Sequence, residues 1–237
     1  MADQFERLLV VQGHDTVLDQ LTHRRASLPE RAELALLESR LAALDAQTAT
    51  TGAERDALGA RQADLEAQIE AARARRAELE KRMFAGQAAT RDLQAMDEEV
   101  KHLARHVTEL EDREIEVMEA LEPLDAALSS LSDEHAEAQR EAQVRRSAIA
   151  EAEGEIDQEA ARERTARQQA VTGMGAELLE RYEKLRAKLG GTGAARLVGE
   201  SCGGCHLVLP AMEVDRIRKA PPDTLITCDQ CGRILVR

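Results

Sequence analysis

At 237 residues the chain has room for one or two domains, but its composition excludes an ordinary globular core of that size. Aromatics are 1% of the chain, Trp is absent, the 43% hydrophobic share rests on Ala and Leu, and 32% of residues are charged; with helical periodicity this reads as coiled coil. The net charge of −13 disfavours general nucleic-acid binding, and no apolar run approaches the roughly 18 residues that span a bilayer.

The opening residues, Met1 to Arg7, carry acids and a base before the short Leu8–Val11 run, with no cleavage-like site, so they do not read as a signal peptide. Pro29 follows Leu28 and breaks any helix there, which leaves residues 3–27 as a first helical segment. From Leu34 the spacing 3, 4, 3, 4 runs without a slip through Leu37, Leu41, Leu44, Leu58, Leu65, Ile69 and Leu79 to Met83. Ten of its fifteen positions are apolar, enough to sustain a supercoiled seam. A second series runs from Leu93 through Val100, Leu110, Leu121, Leu131 and Ile149 to Ala170.

The step from Met83 to Leu93 is ten residues, which is out of phase with the heptad. Lys81 and Arg82 suit a helix end, Gly86 the position after it, and Thr90 the cap of a new helix. A turn near 84–90 therefore makes an antiparallel hairpin; the competing reading is one uninterrupted helix in a parallel dimer with a stutter. Folding about residue 88 sets Pro123 opposite about residue 53, next to the weak helix formers Thr48–Gly52, as a shared bend. It also sets Gln62 opposite Glu114 as a polar layer.

The seam is lost at Gly173-Met174-Gly175, and a new apolar set (Leu178, Tyr182, Leu185, Leu189) ends at Gly190. Gly190-Gly191-Thr192-Gly193 is not followed by Lys-Ser or Lys-Thr, so it is read as a linker and not a phosphate loop. The expected organisation is mainly α: a long antiparallel coiled-coil hairpin over 1–190, with its tip near 84–90 and a break near 28–29. A small β zinc-ribbon domain over 191–237 follows.

The chain's four cysteines form two matched pairs, Cys202-Gly203-Gly204-Cys205 and Cys228-Asp229-Gln230-Cys231. This is the spacing of a four-thiolate zinc site. Four thiolates close the coordination shell, so one Zn²⁺ is expected as a structural staple with no open position for substrate. Leu207–Leu209, Leu225-Ile226 and Ile234–Val236 read as short strands beside the two turns, and Pro210–Lys219 as a helix with Pro at its start. Some 40 residues bury little core, so metal supplies the missing stability. Thioredoxin-like redox chemistry would need a βαβ pattern that is not visible. His206 is a spare polar residue beside four better ligands. His102 and His106, four apart with no third ligand in sight, sit on a solvated helix face. Reduced ligand cysteines point to the cytoplasm.

With these motifs in place, the chain resembles the bacterial family of coiled-coil proteins that end in a four-cysteine zinc ribbon. Leu8-Leu9-Val10-Val11-Gln12-Gly13-His14-Asp15-Thr16, with Leu28-Pro29-Glu30, is similar to the family's opening segment, and Arg91–Glu99 to the segment after the tip. Cys202–Pro210 and Cys228–Leu235 are similar to its two knuckles. The resemblance implies an antiparallel hairpin with the ribbon near its open end. It also implies for some members binding of an RpoN-type sigma factor, and for one a flagellin message.

No nucleophile–base pattern or open metal site supports an enzyme. The expected function is a non-catalytic adaptor or regulator that binds proteins of the transcription or gene-expression machinery, with neither membrane nor small-molecule substrate. Contacts are expected where the pattern departs from the coil: Arg82 and Phe84 at the tip, and the ribbon, where Leu207, Leu209, Met212 and Ile217 cannot all be buried. The alternative is RNA or DNA binding through Arg216, Arg218, Lys219 and the basic tip, although the ribbon has no aromatics for base stacking and its six bases from Arg196 on face five acids.

Overall fold

The computed structural model describes residues 2–85 and 89–237. The helical segments follow the sequence signals closely. α1 (Ala2–Ala26) ends before Pro29, and α2 (Pro29–Phe84) starts on that proline, whose missing N–H is an orphan at a first helical turn in any case. α3 (Thr90–Val171) runs through Pro123 without interruption. Gly86, assigned above to the turn, lies outside the described residues together with Gln87 and Ala88. Among the described residues, no helix is long and apolar enough to cross a membrane.

The chain forms two compact units, one of Met1–Ala32 with Arg145–Arg237 and one of Glu33–Val144. The second unit is the hairpin. Its core is one continuous cluster in which Leu65, Ile69, Ala72 and Leu79 of α2 pack with Leu103, Val107, Leu110, Val117 and Leu121 of α3. All are heptad positions, and Leu110 is 1% exposed. Side-chain pairs along the flanks show the arms running antiparallel: the ion pairs of Arg73 with Glu111 and Arg55 with Asp125, and His135 Nε2 3.3 Å from Asp45.

Arg40 also lies 3.6 Å from Glu134, so these long side chains reach up and down the arms and bracket a fold near residue 88 without fixing it to one layer. The Gln62 amide donates to Glu66 Oε1 along its own helix at 3.0 Å. Heptad spacing fixes which face of each arm is buried, but not how many residues the turn consumes.

In the first unit, α4 (Ala176–Lys188) follows a turn at Gly173. A three-stranded sheet comes next, built from β1 (Ala194–Val198), β2 (Ser201–Cys202) and, beyond helix α5 (Ala211–Lys219), β3 (Ile234–Val236). The order is β2-β1-β3, with β1 antiparallel to β2 and parallel to β3. Leu207–Leu209 and Leu225-Ile226 are not strands; only single bridges, Ser201 to Val208 and Thr227 to Ile234, form near them. The central strand, β1, gives no sequence signal because Ala194-Ala195 has little β-propensity.

The ribbon shares its core with helices. Leu8 and Val11 of α1, Tyr182 of α4, Ala194 of β1 and Ile234 of β3 form one buried cluster. Gly190–Gly193, read from sequence as a linker, is a packed turn. Gly190 and Gly191 have φ of 69° and 93°, where a side chain is strained. A Cβ on Gly193 would stand 2.8 Å from the Tyr182 carbonyl oxygen, so only glycine lets the chain pass so close to α4.

Candidate metal centre

The two knuckles are built alike. The Cys202 carbonyl accepts from the His206 N–H at 2.7 Å, and the Cys202 N–H donates to the Leu207 carbonyl at 3.1 Å. In the second knuckle the Cys228 carbonyl accepts from Gly232 at 2.7 Å and its N–H donates to Arg233 at 2.9 Å. Each turn ends in a residue with positive φ, Gly232 at 78° and His206 at 62°. His206 is thus neither ligand nor incidental: it stands in the left-handed position that glycine fills in the matching turn, and its side chain is exposed.

This geometry brings the four sulfurs to within 4.8 Å of one another. Cys202 Sγ lies 3.9 Å from Cys231 Sγ, and Cys205 Sγ lies 4.0 Å from Cys228 Sγ. The thiols are free, not disulfides. A tetrahedron with metal–sulfur distances of about 2.3 Å has edges of about 3.8 Å, so the donor set fits one structural zinc. Among the described residues no other His, Cys, Asp or Glu group could hold a metal, and His102 and His106 stack together without a third donor.

Electrostatics at the sulfurs are uneven. Burial pushes the Cys228 thiol up to about 12 and also raises Cys202. Burial acts the same way on Cys231, but hydrogen bonds from the Arg233 N–H and side chain outweigh it and bring that thiol to about 7. The Gly204 N–H points at Cys202 Sγ at 3.4 Å. Amides directed at sulfur favour the thiolate, the form that binds metal.

Comparison with known proteins agrees with this build. Residues 11–190 match the model of the CT398-like coiled coil hairpin domain, and residues 201–235 that of the C4-type zinc ribbon domain. The chain belongs to the CT398-like coiled-coil hairpin family. It is 29% identical to an uncharacterized protein of Mycobacterium tuberculosis, over 99% of this chain and 95% of that one. A solved structure from Mycobacterium smegmatis is 30% identical, covers 100% of this chain and 99% of its own, and superposes with a TM-score of 0.88. CT398 from Chlamydia trachomatis shares the fold at 21% identity and a TM-score of 0.71, with 98% and 97% of the two chains covered.

Two residues that sequence reasoning did not single out tie the family's opening segment to the ribbon. Gln12, 7% exposed, accepts at Oε1 from the N–H groups of Gly193 (2.7 Å) and Ala194 (3.3 Å), and donates from Nε2 to the Gly191 carbonyl (3.0 Å). One amide thereby pairs three backbone groups of the turn, beside the bond that the Gly193 carbonyl accepts from the Ile234 N–H at 2.9 Å. Asp15, 2% exposed, accepts from Arg167 Nε at 2.6 Å and from the Tyr182 hydroxyl at 2.7 Å. Arg167 also pairs with Glu183. Burial, then the bond to Asp15, holds the Tyr182 phenol well above the usual tyrosine range. From the other side Arg233 donates to the carbonyls of Thr192 (2.9 Å) and Leu189 (3.0 Å). No local signal marks them, since both fall in the polar stretch Gln12–Thr16 that follows Leu8–Val11.

The residues proposed for partner contact are arranged as follows. Phe84 ends α2 and is 90% exposed; Arg82 is exposed beside it. In α5, Arg216 pairs with Glu213, Lys219 Nζ lies 2.7 Å from Asp215, and Arg218 donates to the Gly199 carbonyl at 3.1 Å. Of the four apolar residues that could not all be buried, Leu209 and Ile217 are core at 2% and 1%, while Leu207 and Met212 are exposed at 52% and 88%.

Proposed function

We propose that the chain is a non-catalytic, cytoplasmic adaptor that binds a protein of the gene-expression machinery through its zinc ribbon and the end of its hairpin. The observation that carries this reading is the exposure of large apolar side chains where the coil pattern stops. Phe84 is one of only three aromatics in the chain, yet among the described residues it is the most exposed large hydrophobic side chain. On the ribbon, Val198, Leu207, Val208 and Met212 are also open to solvent. Residues of this kind supply binding energy at protein interfaces. A closed four-thiolate site serves to hold such a surface in shape rather than to perform chemistry.

A protein partner is favoured over nucleic acid because each base of α5 already has an acid or carbonyl partner. The chain's net charge of −13 would also oppose a polyanion. Among gene-expression proteins, an RpoN-type sigma factor is the version that the family resemblance implies for some members.

The test is partner capture by the full chain, by Arg82→Glu with Phe84→Ala, and by Val208→Glu with Met212→Glu. Truncation at Gly190 is unsuitable, because it strips Ala194 and Ile234 from the core around Tyr182. Loss of capture in either variant, surviving nuclease, supports the adaptor. Capture that both variants retain, or that collapses with nuclease or moderate salt, sinks it.

A further inference from the structure

One stretch of the hairpin's side is not written as a two-stranded coil. On α3 the seam passes through Leu110, Val117 and Leu121. Ile115 and Met118 stand beside it, one residue around the helix, and are 53% and 51% exposed. In a helix with a single neighbour those positions face water and should be polar. Three apolar positions per heptad is the pattern of a helix with two neighbours. Across the seam the α2 residue that lines this stretch is Gln62, whose amide donates to Glu66. The result is a groove of about 550 Å³ between the arms, floored by Gln62, Ile115, Met118 and Leu121.

Its rim is acidic. Glu119, Glu122 and Asp125 line it; Asp125 is held by Arg55 at 3.1 Å, whereas Glu119 and Glu122 have no ion-pair partner among the described residues. From Ile115 to Asp125 the groove spans about 15 Å of helix, or roughly three turns. A second copy of the chain would set the same carboxylates against each other across a twofold axis, between molecules of charge −13.

We propose that this groove docks a third helix from a partner protein, an amphipathic helix with an apolar stripe flanked by Lys or Arg. It is a contact separate from the tip and the ribbon. Apolar side chains at 3–4 spacing would cover Ile115 and Met118, and the flanking cations would meet Glu119 and Glu122.

The probe is a pair of lactam-bridged helical peptides of about fourteen residues, with Leu at 3–4 spacing and either Lys or Glu flanks. Binding is measured against the full-length chain by anisotropy, and the Met118 methyl resonance is followed by NMR. The Lys peptide should bind and shift the Met118 methyl, and the Glu peptide should not. Ile115→Glu with Met118→Glu should weaken the Lys peptide about tenfold or more, a loss of at least one buried anchor. Glu119→Lys with Glu122→Lys should reverse the preference, while Phe84→Ala should leave it unchanged. The proposal is overturned if the Met118 methyl does not respond, if the charge reversal does not exchange the peptides, or if sedimentation shows a dimer that Ile115→Glu abolishes.

Discussion

The hairpin unit, Glu33–Val144, and the unit built from Met1–Ala32 and Arg145–Arg237 solve the same problem by opposite means. The hairpin stacks interchangeable layers of Leu, Ile, Val and Ala, each touching only its neighbours along the repeat. The other unit gathers α1, α4, the C-terminal part of α3 and the ribbon around single, unrepeated groups: four thiols, the Gln12 amide, the Asp15 carboxylate and the Tyr182 ring. A repeat can lose a layer and persist, whereas a set of unique partners fails as a whole. Loss of metal should therefore spread from the ribbon into α1 and α4 and stop short of the hairpin.

The largest effect is expected from the ligands. Cys202→Ser with Cys228→Ser should abolish zinc binding and the ribbon's fold, because binding energy of about 10–16 kcal/mol at such sites is folding energy. Amide exchange should accelerate in the ribbon, α1 and α4, and remain slow across Leu65–Leu79 and Leu103–Leu121. Full zinc content in that variant would refute the ligand assignment.

Asp15→Ala comes next, at about 3 kcal/mol, since it leaves the buried Tyr182 hydroxyl unpaired and the part-buried Arg167 guanidinium with Glu183 alone. Denaturant unfolding should show two transitions with only the one belonging to this unit moved. A uniform shift of both would mean that the units are not distinct.

Leu110→Ala, in the hairpin, should cost about 3 kcal/mol by cavity formation and act on the other transition. A smaller effect of opposite sign is expected at the first knuckle. His206→Gly relieves a left-handed backbone position and should stabilise the ribbon by about 1 kcal/mol or less, read as a slower zinc loss to chelator. Faster loss would mean that the imidazole contributes something beyond its φ.

How much the sequence reveals differs between the units for the same reason. The hairpin's buried face was legible from Leu34 to Leu124 because a repeat states its rule many times over. Its register was not, because nothing in a heptad encodes the length of the turn. In the other unit the thiols were fully legible, since few chemistries use two Cys-x-x-Cys pairs at that separation. The groups that join ribbon to helices were not. Gly193 reads as a flexible linker until the close approach of Tyr182 explains it, and Gln12 and Asp15 look like polar positions on an ordinary amphipathic helix. Their roles lie in partners some 150 or more residues away, in hydrogen-bonded pairs such as Asp15 with Arg167 and Gln12 with Gly193, which no local pattern records.

The coupling of metal site to helices can be read from one side chain. Tyr182 is the chain's single tyrosine, and there is no Trp to obscure it, so the phenolate absorbance reports this position alone. Burial and the bond to Asp15 raise its folded-state pKa, so it contributes stability that is fully present below the unfolded value of about 10 and is lost as pH rises through the folded one. With zinc bound, phenolate should form only well above pH 10, together with cooperative unfolding of this unit. With zinc chelated, the titration should fall back toward about 10 while the hairpin stays helical. An unchanged, elevated midpoint after chelation would contradict the account, because Tyr182 would then be buried without the ribbon.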